Sequence, residues 1–159
     1  MVLPRDTRNE LLPCGTSAPD FYSPLSDGRM IRLSSFIGKQ RVLLVFYPGD
    51  YTPVCTKQLC ALRDSWRSLE HHKTAVLGIN PAPVALHRLF AAKNRLPFPI
   101  VSDPHGRIAA AYGCRGWLGS NVRTVYLIDG FGNVAWVQTG VPSIDDVVSA
   151  IANLRDNLS

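Results

Sequence analysis

The sequence has 159 residues, the length of one ordinary domain, and 46% of them are hydrophobic while 18% are charged. These fractions exclude a disordered chain, and no apolar run approaches the ~18 residues of a membrane span. The net charge of +5 comes mostly from arginines scattered along the chain. Because nucleic-acid-binding proteins usually carry a clustered basic patch, we expect no nucleic-acid partner and no membrane contact. We expect one domain over residues 1–159.

The first elements in chain order are a hairpin, a central strand and a helix. Pro19 to Leu33 contains the turn signal Ser26-Asp27-Gly28 between short extended stretches, which predicts an N-terminal β-hairpin. The continuous apolar run from Arg41 to Tyr47 predicts a strand buried on both faces. A helical pattern starts at Cys55, with one apolar stripe formed by Leu59, Leu62, Trp66 and Leu69.

The second half of the chain alternates strands and helices before it ends in a hairpin and a helix. Strands are predicted at 75–79, 100–101, 124–128 and 134–138, and helices at 86–90 and up to about 112. Ser143 can cap the last helix. This order predicts a three-layer α/β sandwich with a mixed central sheet, which is compatible with a thioredoxin-like fold.

Cysteines stand at positions 14, 55, 60 and 114, and their spacing excludes two common uses. Without a C-x-x-C pair, neither a zinc knuckle nor a thioredoxin-type dithiol is indicated, and the four histidines add no metal-ligand pattern. The start of the chain has no apolar stretch of signal-peptide length, so we expect a cytoplasmic protein. A structural disulfide framework is not expected there, which leaves catalytic or redox-sensing thiols.

The stretch from Pro48 to Cys55 has the pattern of a reactive-cysteine site. It follows the predicted central strand, forms a loop that contains Pro48 and Pro53, and opens a helix at Cys55. Unpaired N–H groups at a helix start favour a thiolate over a thiol. A thiol with a pKa of about 8.5 is already a few per cent ionised at neutral pH, so full ionisation gains only about thirtyfold. Further reactivity needs donors near the sulfur, and Thr52 supplies a hydroxyl.

The pattern P-x-x-x-T-x-x-C, formed by Pro48, Thr52 and Cys55, resembles the signature of the peroxiredoxin family. Segments 18–21, 102–104, 111–113 and 123–129 resemble other family motifs in the same order, so the resemblance covers almost the whole chain. It implies a thioredoxin-like fold and a thiol peroxidase that reduces hydrogen peroxide and organic hydroperoxides. No metal or organic cofactor is implied, because sulfur does the redox chemistry.

The resemblance also implies roles for single residues. Cys55 would attack the hydroperoxide, and Arg123, on the late strand, would stabilise the thiolate and the polarised peroxide. Thr52 would donate its hydroxyl to the same pocket. Pro48 would shield the site, a role compatible with simply ending the strand.

Cys60 stands five positions after Cys55, a spacing that resembles the bacterioferritin-comigratory or peroxiredoxin Q subfamily. In that subfamily both cysteines lie on one helix, which implies that Cys60 forms an intramolecular disulfide with Cys55. Thioredoxin or another dithiol would then reduce the bond, and a monomer would suffice. Two features depart from the commonest form: Val54 replaces a glycine, and Asn80-Pro81 replaces a Ser-x-Asp stretch.

The helical wheel places Cys55 on the stripe of Leu59 and Leu62, whereas Cys60 falls off it, near Arg63. Cys55 should therefore face the protein body, and Cys60 should face outward or sideways. In an intact helix their Cα atoms would be about 8–9 Å apart, from a rise of ~1.5 Å per residue. A disulfide needs about 4.4–6.8 Å, so the first turns of this helix would have to unwind.

Two alternatives remain open. The protein could be a one-cysteine peroxidase whose sulfenic acid is resolved by an external thiol, or a peroxide-sensing redox switch that acts on a partner. Cys14 and Cys114 match no family motif, and free cysteines are usually small apolar fillers. Cys114 is the second candidate for the resolving thiol.

Overall fold

The computed structural model describes residues 10–50, 52–116 and 119–158 and, at Cys55, the backbone alone. Its main sheet has the strand order β5-β4-β3-β6-β7. The strands are β3 (Arg41–Phe46), β4 (Thr74–Asn80), β5 (Ile100–Ser102), β6 (Thr124–Ile128) and β7 (Val134–Thr139). β3, β4 and β5 run parallel, β6 runs antiparallel to β3, and β7 runs antiparallel to β6. Every residue of β3 is buried, as its continuous apolar run predicts for a central strand.

Helices and a hairpin cover the two faces of this sheet. The helices are α1 (Pro53–Asp64), α2 (Trp66–His71), α3 (Val84–Lys93), α4 (Arg107–Ala111) and α5 (Ile144–Ala152). One face packs against α1, α2, α3 and α5, through residues that include Leu43, Leu59, Phe90 and Val147. The other face packs against α4 and the N-terminal segment. The predicted three-layer sandwich with a mixed sheet is therefore confirmed.

The N-terminal hairpin consists of β1 (Tyr22–Pro24) and β2 (Met30–Arg32), which pair antiparallel. It lies against the outer strand β5, because Ser26 N donates to Ile100 O at 2.8 Å and Leu25 forms a bridge with Val101. The predicted hairpin extension is confirmed. Asp27 and Gly28 form its turn, where the positive φ of 89° at Gly28 suits a glycine.

The helix predicted from Cys55 through Leu69 is two helices. The first begins at Pro53, and Ser65, with φ −101° and ψ 11°, separates it from α2. The Ser65 amide is shared between Ala61 O and Leu62 O, both at 3.2 Å, so the last turn of α1 tightens and the chain changes direction. The predicted core face still holds, since Leu59, Leu62 and Leu69 are buried.

The last helix begins where the sequence places it. Ser143 Oγ accepts a hydrogen bond from Asp146 N at 3.1 Å, so Ser143 is the N-cap of α5 as predicted. Within the described ranges, no helix is long and apolar enough to cross a membrane.

Candidate active site

The loop that follows β3 and the start of α1 form the centre of the candidate site. Pro53 occupies the first helical position, where its missing N–H costs nothing, and Thr56 N donates to Thr52 O at 2.9 Å to close the first turn. Cys55 is therefore the third residue of α1. By helix geometry, the amides of Val54 and Cys55 precede Thr56 N, the first donor of an i→i−4 hydrogen bond, and are available to an anion.

Strand register brings Arg123 to the same edge of the sheet. Thr124 at the start of β6 pairs with Phe46 at the end of β3, so Arg123 enters the sheet beside the point where the site loop leaves it. Its backbone is fixed by Gly140 N, which donates to Arg123 O at 2.8 Å. Pro48, Thr52 and Arg123 are all partly buried at this edge. Strand register thus brings the backbone of Arg123 next to the end of β3, where the loop with Pro48 and Thr52 begins. The predicted inward orientation of the Cys55 side chain lies outside the described residues.

Cys60 lies on the next turns of α1 and points sideways toward α3. Its thiol is partly buried and donates to Asn94 Oδ1 at 3.7 Å, a weak hydrogen bond. Asn94 is the C-cap of α3, and Arg63 Nη1 donates to its backbone oxygen at 2.7 Å. The predicted sideways orientation of Cys60 is confirmed. Both Cys55 and Cys60 lie within α1, so the helix as described keeps them too far apart for a disulfide.

A buried polar cluster that the sequence does not reveal sits directly before this helix. The Asp50 carboxylate accepts from Tyr47 Oη at 2.7 Å and from Asn80 Nδ2 at 2.8 Å. His87 Nδ1 lies 2.7 Å from its other oxygen, and the Asp50 and His87 side chains are only 4% and 0% exposed. In the sequence, His87 belongs to no recognisable motif. The one available signal was Asn80, which departs from the family pattern and here contacts Asp50.

An apolar groove of about 350 Å³ runs between the start of α1 and the N-terminus of α5. Val54, 52% exposed, and Val141, 48% exposed, line it together with Lys57 and Ile144. Gln58 also lines it, and its buried Oε1 has no hydrogen-bond partner among the described residues. The groove therefore offers an apolar surface next to the turn that carries Cys55.

The remaining thiols differ in exposure. Cys114 is fully buried in the core, and burial raises the pKa of its thiol to about 12. This matches the predicted filler role and argues against Cys114 as the resolving thiol, because the thiolate is the reactive form. Cys14 is exposed, so the filler interpretation is wrong there. Within the described part of the chain, no three His, Cys, Asp or Glu side chains cluster as a metal site would require.

The fold, together with the candidate site at the end of β3, defines a thioredoxin-like protein with a cysteine at the start of a helix. Residues 14–137 match the model of the AhpC/TSA family, and the chain belongs to that family. It is 35% identical over 147 residues to the putative peroxiredoxin bcp of Coxiella burnetii, covering 88% of this chain and 97% of that protein. It is 38% identical over 125 residues to the chloroplastic peroxiredoxin Q of Triticum aestivum, covering 77% of this chain.

The chain spans less than two thirds of the plant relatives, namely 57% of the wheat protein and 65% of a rice peroxiredoxin Q. The crystal structure of BcpB from Mycobacterium tuberculosis has a TM-score of 0.84 and 31% identity, covering 91% of this chain and 99% of that chain. Peroxiredoxin Q from Xanthomonas campestris, at 23% identity and a TM-score of 0.79, shares the fold over 91% of this chain and 97% of its own. The predicted family and fold are thus confirmed.

Proposed function

We propose that this protein is a thiol peroxidase that reduces hydrogen peroxide and small organic hydroperoxides through Cys55. The observation that carries the proposal is the convergence of Pro48, Thr52, the first turn of α1 and Arg123 at one sheet edge in a chain of the AhpC/TSA family. A thiolate at a helix start with a guanidinium beside it has the donors that the reaction needs.

The proposed first step oxidises sulfur and reduces the peroxide. The Cys55 thiolate attacks one oxygen of the hydroperoxide, the O–O bond breaks, and the leaving oxygen takes a proton to become water or an alcohol. Cys55 becomes a sulfenic acid. Arg123 and the Thr52 hydroxyl would bind the peroxide oxygens and stabilise the negative charge on the leaving oxygen. Pro48 and Pro53 restrict the loop, so less entropy is lost when the site is ordered.

The proposed second step forms a disulfide between Cys55 and Cys60 and releases water. The first turns of α1 must unwind for this step, because an intact helix holds the two Cα atoms about 8–9 Å apart. A dithiol protein such as thioredoxin would then exchange with the disulfide and restore both thiols. The partners are thus a hydroperoxide and a dithiol reductant. A monomer, a cytoplasmic location and a single domain over residues 1–159 remain predictions alongside it, and the plant relatives are named chloroplastic.

The apolar groove beside Val54 supports organic hydroperoxides as substrates. It lies next to the turn of Cys55 and can accept the carbon chain of an alkyl hydroperoxide while the peroxide group is at the sulfur. Hydrogen peroxide has no such chain and would not use the groove.

Intact-mass measurement and peptide mapping after one equivalent of hydrogen peroxide, with thiols blocked afterwards, test the proposal. We expect a Cys55–Cys60 disulfide in the wild type and in Cys14→Ser, the matched control with an exposed thiol. Cys55→Ser should form none. A stable sulfenic acid at Cys55 would favour the one-cysteine alternative, and an unoxidised Cys55 would overturn the peroxidase assignment.

A further inference from the structure

A buried carboxylate in the segment that carries the candidate site makes hydrogen bonds to other parts of the protein. Asp50 lies between Pro48 and Thr52, and its side chain is 4% exposed. Its carboxylate accepts hydrogen bonds from Tyr47 Oη at 2.7 Å and Asn80 Nδ2 at 2.8 Å. His87 Nδ1 lies 2.7 Å from the other carboxylate oxygen. These donors belong to three places in the fold: the residue directly after β3, the last residue of β4 and α3.

We propose that Asp50 and His87 form a buried pair that positions the loop bearing Pro48 and Thr52 for the reaction of Cys55 with hydroperoxide. The inference rests on the proposed peroxidase function and adds two positioning residues to it. Neither residue belongs to the family motif that the sequence shows.

The chemistry of the partners fixes the orientation of the carboxylate. Asp50 Oδ1 accepts from Tyr47 Oη and Asn80 Nδ2, and we assign the hydrogen between Asp50 Oδ2 and His87 to Nδ1, so that the carboxylate acts as acceptor toward all three partners. The Asn80 amide is itself oriented, because its Oδ1 accepts from Ala82 N at 2.8 Å and leaves Nδ2 to donate to Asp50. Asn80 and His87 are thus held by β4 and α3, and the Asp50 carboxylate joins both to the loop.

Burial explains why this cluster is strong enough to hold a loop. Asn80 and His87 are fully buried, so their polar atoms have no water to replace a lost partner. His87 Nε2 has no hydrogen-bond partner among the described residues, so the contact of Nδ1 with Asp50 is the hydrogen bond that His87 makes in the described structure. Removing Asp50 leaves His87 buried without its hydrogen bond at Nδ1, and removing His87 takes away one of the three partners of Asp50, so either change favours displacement of the loop.

Loss of the Asp50–His87 pair should affect the two steps of the proposed cycle differently. Attack on the peroxide needs the loop and the first turn of α1 in place, and small misplacements of positioned groups slow reactions strongly. Disulfide formation needs the opposite, a displaced first turn. Loss of the Asp50–His87 pair should therefore slow the oxidation of Cys55 and should leave the later formation of the Cys55–Cys60 disulfide unchanged or faster.

The test measures oxidation of Cys55 by hydrogen peroxide with rapid quenching and mass spectrometry, in a Cys60→Ser parent that isolates the first step. Asp50→Asn and His87→Gln should each be about tenfold slower than the parent, and the double variant should be no slower than either, because paired residues act as one unit. Asp27→Asn and His105→Gln, at exposed positions, are matched controls and should stay within about twofold of the parent.

Disulfide formation is then timed in the same variants with Cys60 restored. A purely structural role would leave the oxidation rate unchanged while the protein stays folded by circular dichroism, whereas a positioning role slows oxidation alone. Should Asp50→Asn not fold, Tyr47→Phe removes one donor to Asp50 and keeps the ring, and about threefold slower oxidation is expected. Rates equal to the controls would overturn the inference and leave the peroxidase proposal intact. A parent that is not oxidised at Cys55 would overturn both.

Discussion

Val54 directly precedes the candidate nucleophile Cys55, and its side chain borders the apolar groove. Because it is 52% exposed and lines that groove, it offers contact area to a carbon chain. At about 0.8 kcal/mol per buried CH₂, partial loss of this contact should raise the KM for cumene hydroperoxide about two- to fivefold in Val54→Ala. The KM for hydrogen peroxide should not change.

Steady-state kinetics with both peroxides check this expectation. Leu89→Ala is the matched control, since Leu89 is 62% exposed on α3 and does not line the groove. Equal changes for both peroxides in Val54→Ala would mean that Val54 affects the reacting sulfur and not the carbon chain.

Cys114 and Cys14 are opposite extremes among the remaining thiols. Burial raises the pKa of Cys114 to about 12, so its thiol stays neutral at pH 8, whereas Cys14 is exposed. Iodoacetamide at pH 8 should label Cys14 in the native protein and should label Cys114 only after unfolding in urea, as followed by peptide mapping. Labelling of both at similar rates would contradict the described burial. Cys114→Ala should form the Cys55–Cys60 disulfide at the wild-type rate.

At the scale of the elements, α3 contacts the site segment on both sides of Cys55. His87 contacts Asp50 in the loop before α1, and Asn94 Oδ1 accepts a hydrogen bond from the Cys60 thiol at 3.7 Å. The second contact opposes release of Cys60, so Asn94→Ala should form the Cys55–Cys60 disulfide about threefold faster, as loss of a weak hydrogen bond allows. Oxidation of Cys55 itself should be unchanged.

Stopped reactions with timed thiol blocking measure this rate. Asn153→Ala is the matched control, because Asn153 is likewise a helix C-cap, on α5, away from Cys60. An unchanged rate in Asn94→Ala would mean that unwinding of α1, and not release from α3, limits the step. A slower rate would mean that Asn94 guides Cys60 toward its partner.

The same elements show what a sequence can predict. The Ser143 cap, the hairpin turn at Gly28 and the buried strand β3 depend on neighbouring residues, so local patterns reveal them. The pairing of Asp50 with His87 joins residues 37 positions apart and depends on how α3 returns over the sheet. A single histidine within the helix Val84–Lys93 gives no periodic signal of that contact. Family resemblance predicts the reacting residues, whereas it gives no indication of the buried Asp50–His87 pair.

For the whole molecule, the end of the sheet opposite the candidate site is closed by a buried ion pair. Arg41, the first residue of β3, donates to the Asp156 carboxylate at 2.7 and 2.9 Å, and the two side chains are 6% and 1% exposed. Asp156 also accepts from Gly130 N at 2.8 Å, in the turn between β6 and β7. One carboxylate therefore joins the C-terminal tail, the central strand and a turn, and the integrity of this end depends on its charge.

This dependence predicts how stability changes with pH. The hydrogen bond from Arg41 holds the pKa of Asp156 well below its ordinary value, against the opposing effect of burial. A carboxyl group whose pKa is lowered by folding stabilises the protein above its unfolded pKa of about 3.9, and that contribution is lost as the pH falls further. Asp156→Asn should lower the free energy of unfolding by about 3 kcal/mol at pH 7, since the buried Arg41 guanidinium then has no carboxylate charge opposite it at position 156.

Urea unfolding at pH 7, 5 and 3 measures the difference between Asp156→Asn and the wild type. It should be the same at pH 7 and 5 and should shrink at pH 3, because the unfolded wild type then takes up a proton at Asp156 while the folded protein, in which the pKa of this carboxyl is held well below its ordinary value, stays charged. Asp145→Asn, at an exposed position in the first turn of α5, should change stability by less than about 1 kcal/mol at each pH. A difference for Asp156→Asn that stays constant down to pH 3 would show that the side chain acts through packing alone and not through its charge.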